Sequence, residues 1–215
     1  MKASDVIEIV NDELDDTTDG TLWTEAIKLK YLSEAQQEAC MRADLIWDTA
    51  RASVQAEATK ITIDSKINRI VWAGWDDGTT VQPLEPIGEA DADRRTPKWR
   101  TYTGVPTHFI QKPRAVRLYY PPAAAGTLRM EVYRQPLVTD LTMGSDLEIP
   151  DRWAPLLRHW VQFRAYTKRD AETEQLKRAA ANEALFTAAF GARPTVYAQV
   201  ERQQRRSNVV RPRGF

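Results

Sequence analysis

The chain of 215 residues has one cysteine, Cys40, and only two histidines, His108 and His159. A lone cysteine closes no internal disulfide, so the fold must rest on packing, which suits a reducing compartment or a large assembly. Cys40 itself reads as a small buried hydrophobe. The opening residues, MKASDVIEIV, lack the basic start and continuous apolar run of a signal peptide, and no run of about eighteen uncharged apolar residues occurs anywhere. A soluble chain outside the secretory route is expected, without membrane contact.

The motifs of catalysis are missing as well. There is no HExxH, no Cys/His pair at metal spacing, no GxSxG elbow, and no GxGxxG or GxxxxGK[ST] loop for phosphate. His108 adjoins a strand-like run (THFI) and His159 lies on a helix (RHW), and structural or surface roles explain both better than acid–base work. Gly74, Gly78, Gly104 and Gly126 sit beside turn residues. The pairs Asp76-Asp77 and Asp91/Asp93 match no EF-hand and read as turn and loop chemistry. The expectation is a protein with no catalytic residues, no cofactor and no metal.

What the chain does have is charge, balanced in total and uneven in place. Thirty Lys and Arg meet thirty Asp and Glu. Residues 1–20 carry seven acids (Asp5, Glu8, Asp12, Glu13, Asp15, Asp16, Asp19) against Lys2, whereas residues 151–215 carry thirteen cations against six acids. Such poles suit head-to-tail contacts between subunits or with a partner, although solvated faces carry similar patterns. The last stretch, QVERQQRRSNVVRPRGF, holds five arginines and one acid.

The hydrophobic period changes twice. Ser4 precedes Val6, Ile7, Val10 and Leu14 at helical spacing, reads as an N-cap, and leaves DDTTDG to close the helix. Thr24 opens a longer helix, TEAIKLKYLSEAQQEACMRAD, with Ile27, Tyr31, Leu32, Ala35 and Ala39 as its apolar stripe and charged or amide residues on the other faces. From about Asp48 the period is two: Ala50, Ala52, Val54, Ala56 and Ala58 alternate with polar residues, a strand pattern for which a continuing helix is the rival because alanine is a weak strand former. NRIVWAGWDDG, THFIQKPRAVRLYY and TLRMEVYRQPL add strands. Seven of the twelve prolines lie between Pro83 and Pro122, which rules out long helices there. Ile87 to Trp99 is expected to be an exposed loop.

Helical spacing returns near Asp151 with Trp153, Leu156, Leu157, Trp160, Val161 and Tyr166, Pro155 being tolerated close to the helix start. Asp170 is placed to cap a last helix with Leu176, Ala180, Phe186 and Phe190 inward and Gly191 as its stop. Of the seven tryptophans, Trp153, Trp160 and Trp47 are expected inside, while Trp72, Trp75 and Trp99 are free to meet a partner, including stacked bases. The predicted fold class is α+β. A helical bundle from both ends (1–47 and 151–191) carries an inserted β-rich module (48–150) and an extended C-terminal arm (192–215).

Several segments together carry a resemblance: the N-terminal helix, WTEAI opening the second, GVPTHFIQKPRAVRLYYPP, EIPDRWAPLLRHWVQFRAYTKRDAE, and ANEALFTAAFG. In this order they resemble the head-to-tail adaptor proteins of tailed bacteriophages, also called connector or tail tubular A-like proteins, most specifically from Glu148 to Glu172. The resemblance spans nearly the whole chain and carries no active site. It implies a structural virion protein at the neck, assembled in the host cytoplasm. Such a protein forms a ring, usually of twelve copies, under the portal protein, carries tail or nozzle proteins on the other side, and lets genomic DNA pass without sequence-specific recognition. It gives the C-terminal arm a portal-docking role, in which Arg202, Arg205, Arg206, Arg211 and Arg213 pair with carboxylates while Val209, Val210 and Phe215 anchor on apolar surface. The alternative is a nucleic-acid-binding phage protein that uses the same arginines on phosphates.

Overall fold

A computed structural model describes residues 1–14, 23–168 and 175–204 of the chain. The DDTTDG segment, Asp170, and Arg205 to Phe215 lie outside the described residues. Six helices and a seven-stranded sheet among the described residues make the chain α+β. They divide into two compact units, one of Met1–Ile46 with Arg134–Pro194, the other of Trp47–Tyr133 with the described residues from Thr195 on.

In the first unit, α1 (Ala3–Leu14) buries Ala3, Val6, Ile7 and Val10. Its start lies one residue before the expected Ser4 cap. The free N–H groups of the first turn are met by a loop instead: Ala3 donates to the Ser145 carbonyl at 2.9 Å and Ser4 to that of Met143 at 3.1 Å, while Lys2 N–H donates to Asp5 Oδ2 at 2.9 Å. Helix α2 (Glu25–Ala43) has Thr24 as its N-cap residue and ends on Asp44 in the left-handed region (φ 50). Its buried arc is wider than the apolar stripe alone. Lys28, Ser33, Gln36, Glu38 and Arg42 are buried beside Leu29, Leu32, Ala35, Ala39 and Cys40.

A 3-10 turn (Ala154–Leu157), which takes up Pro155, leads into α4 (Arg158–Tyr166); α5 (Leu176–Phe190) ends where Gly191, at φ 87, donates to the Thr187 carbonyl at 2.8 Å. On α5 the inward residues are Ala179, Phe186 and Phe190. Leu176 (63 % exposed) and Ala180 face outward, against expectation, because the two phenylalanines fix the rotation of the helix and leave those positions off its inner side. One core joins α1, α2, the 3-10 turn, α4 and α5 through Val6, Leu32, Leu157, Val161 and Phe186, with Ile149 from the returning chain.

Arg42 and Glu148 are each held by several partners in this unit. Arg42 Nε donates to Glu38 Oε1 at 2.8 Å, and its Nη1 donates to Thr187 Oγ1 at 2.9 Å and to the Gly191 carbonyl at 3.2 Å. The guanidinium also lies 5.1 Å from the Phe186 ring and 5.4 Å from that of Trp160. Glu148 fastens the chain where it returns from the second unit. Its Oε1 accepts from Leu137 N–H (2.6 Å) and Val138 N–H (2.9 Å), its Oε2 from Arg134 (2.6 Å), and its own N–H donates to buried Gln36 (3.0 Å). Burial pushes the Glu148 carboxyl upward, but the Val138 amide, the Arg134 guanidinium and the Leu137 amide outweigh it, so the group titrates below the usual range.

The second unit is built on strands β1 (Ile46–Val54), β2 (Ile61–Thr62), β3 (Ile67–Asp76), β4 (Val81–Pro86), β5 (His108–Lys112), β6 (Ala115–Tyr119) and β7 (Gly126–Arg134), in the order β1-β7-β3-β4-β5-β6-β2. The 48–58 run resolves as a strand through Val54, followed by a turn. Ile46 and Val54 are buried and Ala50 and Ala52 half-buried, while Thr49, Arg51 and Ser53 are exposed. The same alternation turns Trp47 outward, 55 % exposed, where burial was expected. Gly126 has no room for a side chain: a Cβ there would lie 2.7 Å from the Asp76 carbonyl and 2.5 Å from the Trp75 ring.

Strands β4 and β5 pair in parallel, Glu85 with His108 and Pro86 with Phe109, which demands a crossover. Residues 87–107 supply it. The expected exposed loop is a folded element with helix α3 (Glu89–Arg95), and Ile87, Ala92 and Trp99 are buried against Ile110 and Tyr119. Trp99 (2 % exposed) and Trp75 (4 %) are therefore core residues, not partner-facing ones. Phe109, Val116 and Leu118 serve the larger core with Ile70, Leu128 and Val132.

Arg42→Ala leaves buried Glu38 with Arg193, 3.4 Å away, as its remaining ion-pair partner among the described residues, and is expected to lower the unfolding free energy by about 3 kcal/mol in a urea titration, whereas replacing both partners by apolar residues costs far less. For Glu148 the folded-state pKa lies below the unfolded one. Its stabilisation is complete above about pH 5 and drains as pH falls through the folded value. Glu148→Gln is expected to be less stable than the wild type at neutral pH, and the gap is expected to close on acidification, as followed by thermal melts across that range.

Candidate functional site

The reactive groups that a catalytic reading needs are tied into structure. Arg95 carries only donors, so its 2.9 Å contact with His108 Nε2 makes that nitrogen the acceptor, and the opposite Nδ1–H donates to Thr107 Oγ1 at 2.9 Å. The ring stands edge-on to Tyr119 at 5.4 Å. Asn182 donates its amide to the Arg178 carbonyl (3.1 Å), which turns its Oδ1 toward His159 Nδ1 (3.2 Å) and links α4 to α5. Burial pushes the Cys40 thiol up to about 12, far from a nucleophile's range.

The acidic pairs Asp76-Asp77 and Asp91/Asp93 are equally engaged. Asp76 accepts from Gly78 N–H at 2.9 Å, and Asp77 Oδ1 from Thr79 and Thr80 N–H at 2.8 and 2.7 Å, the turn chemistry expected of them. Those amides hold both acids below their usual range, with Arg129 adding to the effect on Asp76. On α3, Asp91 pairs with Arg94, and Asp93 takes the Trp99 indole N–H at 2.9 Å and the Arg100 guanidinium. Glu89 gathers Lys112 (2.6 Å), Arg100 (2.9 Å) and Arg117 (3.2 Å), which lower its pKa, Lys112 first. This network locks the crossover onto β5 and β6. Among the described residues, no group of three or more His, Cys, Asp and Glu could hold a metal ion, and no helix is long and apolar enough to cross a membrane.

The docking residues read from the sequence are reached only at their first member. Residues 196–204 are not extended: α6 (Val196–Gln204) is a helix whose start is capped by Thr195, its Oγ1 accepting from Ala198 N–H (3.2 Å) and its carbonyl from Gln199 N–H (3.0 Å). Gln203 anchors it to β3 by donating to the Asn68 carbonyl at 2.9 Å. Arg202 is exposed on α6, while Arg205, Arg206, Val209, Val210, Arg211, Arg213 and Phe215 lie outside the described residues. The residues that sequence reasoning missed are Val196 and Tyr197, 78 % and 79 % exposed, and Val200, 39 % exposed, on one side of the helix. Their helical spacing was visible in VYAQV, but the charge of the segment drew the reading. An anchored helix with an apolar side and an arginine beyond it can bind a partner surface, and it offers no chemistry for a reaction.

No curated protein matches the chain. A family model does, the one described as SU10 adaptor protein, over residues 1–213. That span takes in both compact units and the α6 segment together. The chain therefore belongs to the SU10 adaptor protein family, a phage head-to-tail adaptor family of structural proteins rather than enzymes.

Proposed function

We propose that the protein works as connector and tail tubular A-like proteins do, as a ring beneath the portal at the virion neck that joins the capsid vertex to the tail and leaves a bore for DNA. The observation that carries this reading is the adaptor-family match along one uninterrupted span, residues 1–213. In this scheme the residues 1–47 and 151–191 act as a helical bundle that builds the ring, and the 48–150 module serves the tail or nozzle proteins. The ring holds twelve copies and assembles in the host cytoplasm, with the portal as its template.

The segment from residue 192 onward serves as the docking arm. Helix α6 supports this: it is fixed to β3 through Gln203 and turns Val196 and Tyr197 to solvent at the root of the arginine-rich end. An arm launched from an anchored helix loses less ordering entropy on binding than a free chain end, and its guanidiniums suit carboxylates on the portal. Repetition around the ring turns a weak contact into a firm one.

Chains lacking residues 205–215, which keep α6 whole, are expected to bind purified portal rings at least about tenfold more weakly than the full chain. Equal binding would remove the arm from the docking role. The same pair of proteins titrated with random-sequence DNA distinguishes the nucleic-acid reading: strong, steeply salt-dependent binding that the truncation abolishes would favour it.

A further inference from the structure

The solvent side of α5 is unusual for an exposed helix. Ala180, Ala181, Ala184, Leu185 and Ala188 lie on it, with Leu185 51 % exposed, and no charged residue interrupts it from Ala180 to Ala188. The one acid in that span, Glu183, borders the face with its side chain 42 % exposed and is engaged within the chain: it stands 3.8 Å from Arg42 and accepts from Thr187 Oγ1 at 2.9 Å. Charge returns only in the first turn, where Lys177 and Arg178 are exposed. An outward helix face normally carries alternating Lys and Glu, and small side chains on it permit close approach of another helix.

The same unit carries a face of opposite character. On α1 the exposed positions Asp5, Glu8 and Asp12 recur at helical spacing along its solvent side, with half-buried Ile9 beside them. Neither Glu8 nor Asp12 has an ion-pair partner among the described residues, nor does Lys177. Two copies brought together α1 to α1 would face acid with acid. α1 of one copy against α5 of the next sets acid against Lys177 and Arg178 and covers the alanines.

We infer that the outer face of α5 is the seat of a second copy of this chain, which docks through the outer face of its α1. The contact is heterologous: each copy uses one face for the copy ahead and the other for the copy behind, so repetition generates a closed ring or an open filament rather than an isolated dimer. The inference rests on the ring reading and names the surfaces that reading leaves open.

Cysteine cross-linking in the assembled state tests it. Ala184→Cys and Glu8→Cys are made as separate single variants, mixed in equal amounts, and assembled on purified portal rings. Buried Cys40, its thiol pushed up to about 12, stays silent toward a short bifunctional thiol reagent. The expected product is the mixed dimer, in excess over either homodimer. Assembly without a mixed adduct, or with the Ala184→Cys homodimer dominant, would overturn the inference and leave the ring reading standing. Failure of the wild-type chain to assemble, alone or on portal rings, would sink both. In parallel, Ala184→Glu is expected to reduce the assembled fraction about tenfold while Ala184→Lys, an equal intrusion of opposite sign, reduces it much less. Equal loss from both would also overturn the charge-matched contact, and unchanged circular dichroism of the variants keeps a folding defect from imitating either result.

Discussion

Arg42 is a full charge held almost out of water, and the order of the helical unit follows from how that charge is satisfied. Its guanidinium reaches Glu38 on its own helix, the Thr187 hydroxyl and the Gly191 carbonyl at the end of α5, and the rings of Trp160 and Phe186. A buried ion must be paired closely on several sides or it destabilises the fold by several kcal/mol. Sliding or rotating α5 against α2 would break those bonds together. The pairing thus specifies one arrangement where the alanine-rich sequence of α5 alone would accept many, and by fixing which residues of α5 point inward it fixes which point out.

The second unit solves a different problem. A parallel pair within a largely antiparallel sheet requires a long crossover, and a long crossover of low hydrophobicity is a liability unless it packs. Here Ile87, Ala92 and Trp99 form a small core of their own with Ile110 and Tyr119, and Glu89 collects three cations above it. The alternation of β5 makes this possible, since Phe109 serves the main core while Ile110, on the opposite face, serves the crossover.

Much of the element order could be read from the sequence because it is written in period. The switch from helical to alternating spacing near residue 48, the Asp-Asp-Gly turn, Gly191 as a helix stop and the inward pair Phe186 and Phe190 all rest on local chemistry, and each stands in the structure as read. What escaped depended on partners distant in sequence. Nothing near Ile87 announces that Tyr119 will cover Trp99, so the crossover looked like a loop; nothing near Arg42 reveals Thr187, so α2 looked polar on faces that are buried. Trp47 misled for the opposite reason. Its size argued for burial, but strand phase outranks size where Ile46 takes the inward position. At the candidate site only Arg202 was read among the described residues, and the helical spacing of Val196, Tyr197 and Val200 was passed over for an extended arm. Residue type shows a capacity to bind, and only the fold shows whether that capacity is already spent within the chain.

That last distinction decides what the charge poles mean. Thirty acids and thirty bases could neutralise one another within each molecule, and many do: Glu89, Asp93, Glu148 and Asp76 are all consumed by neighbours. Other described charges, such as Lys30, Arg51, Lys60 and Arg114, meet solvent singly. Among the described residues, Glu8 and Asp12 have no ion-pair partner on one face of α1, nor does Lys177 at the start of α5. Surface ion pairs contribute little to the stability of a single chain, so their absence costs the monomer almost nothing. Unspent charges of opposite sign on two separate faces have more effect between molecules, where they disfavour like-to-like pairing and orient each copy toward the next.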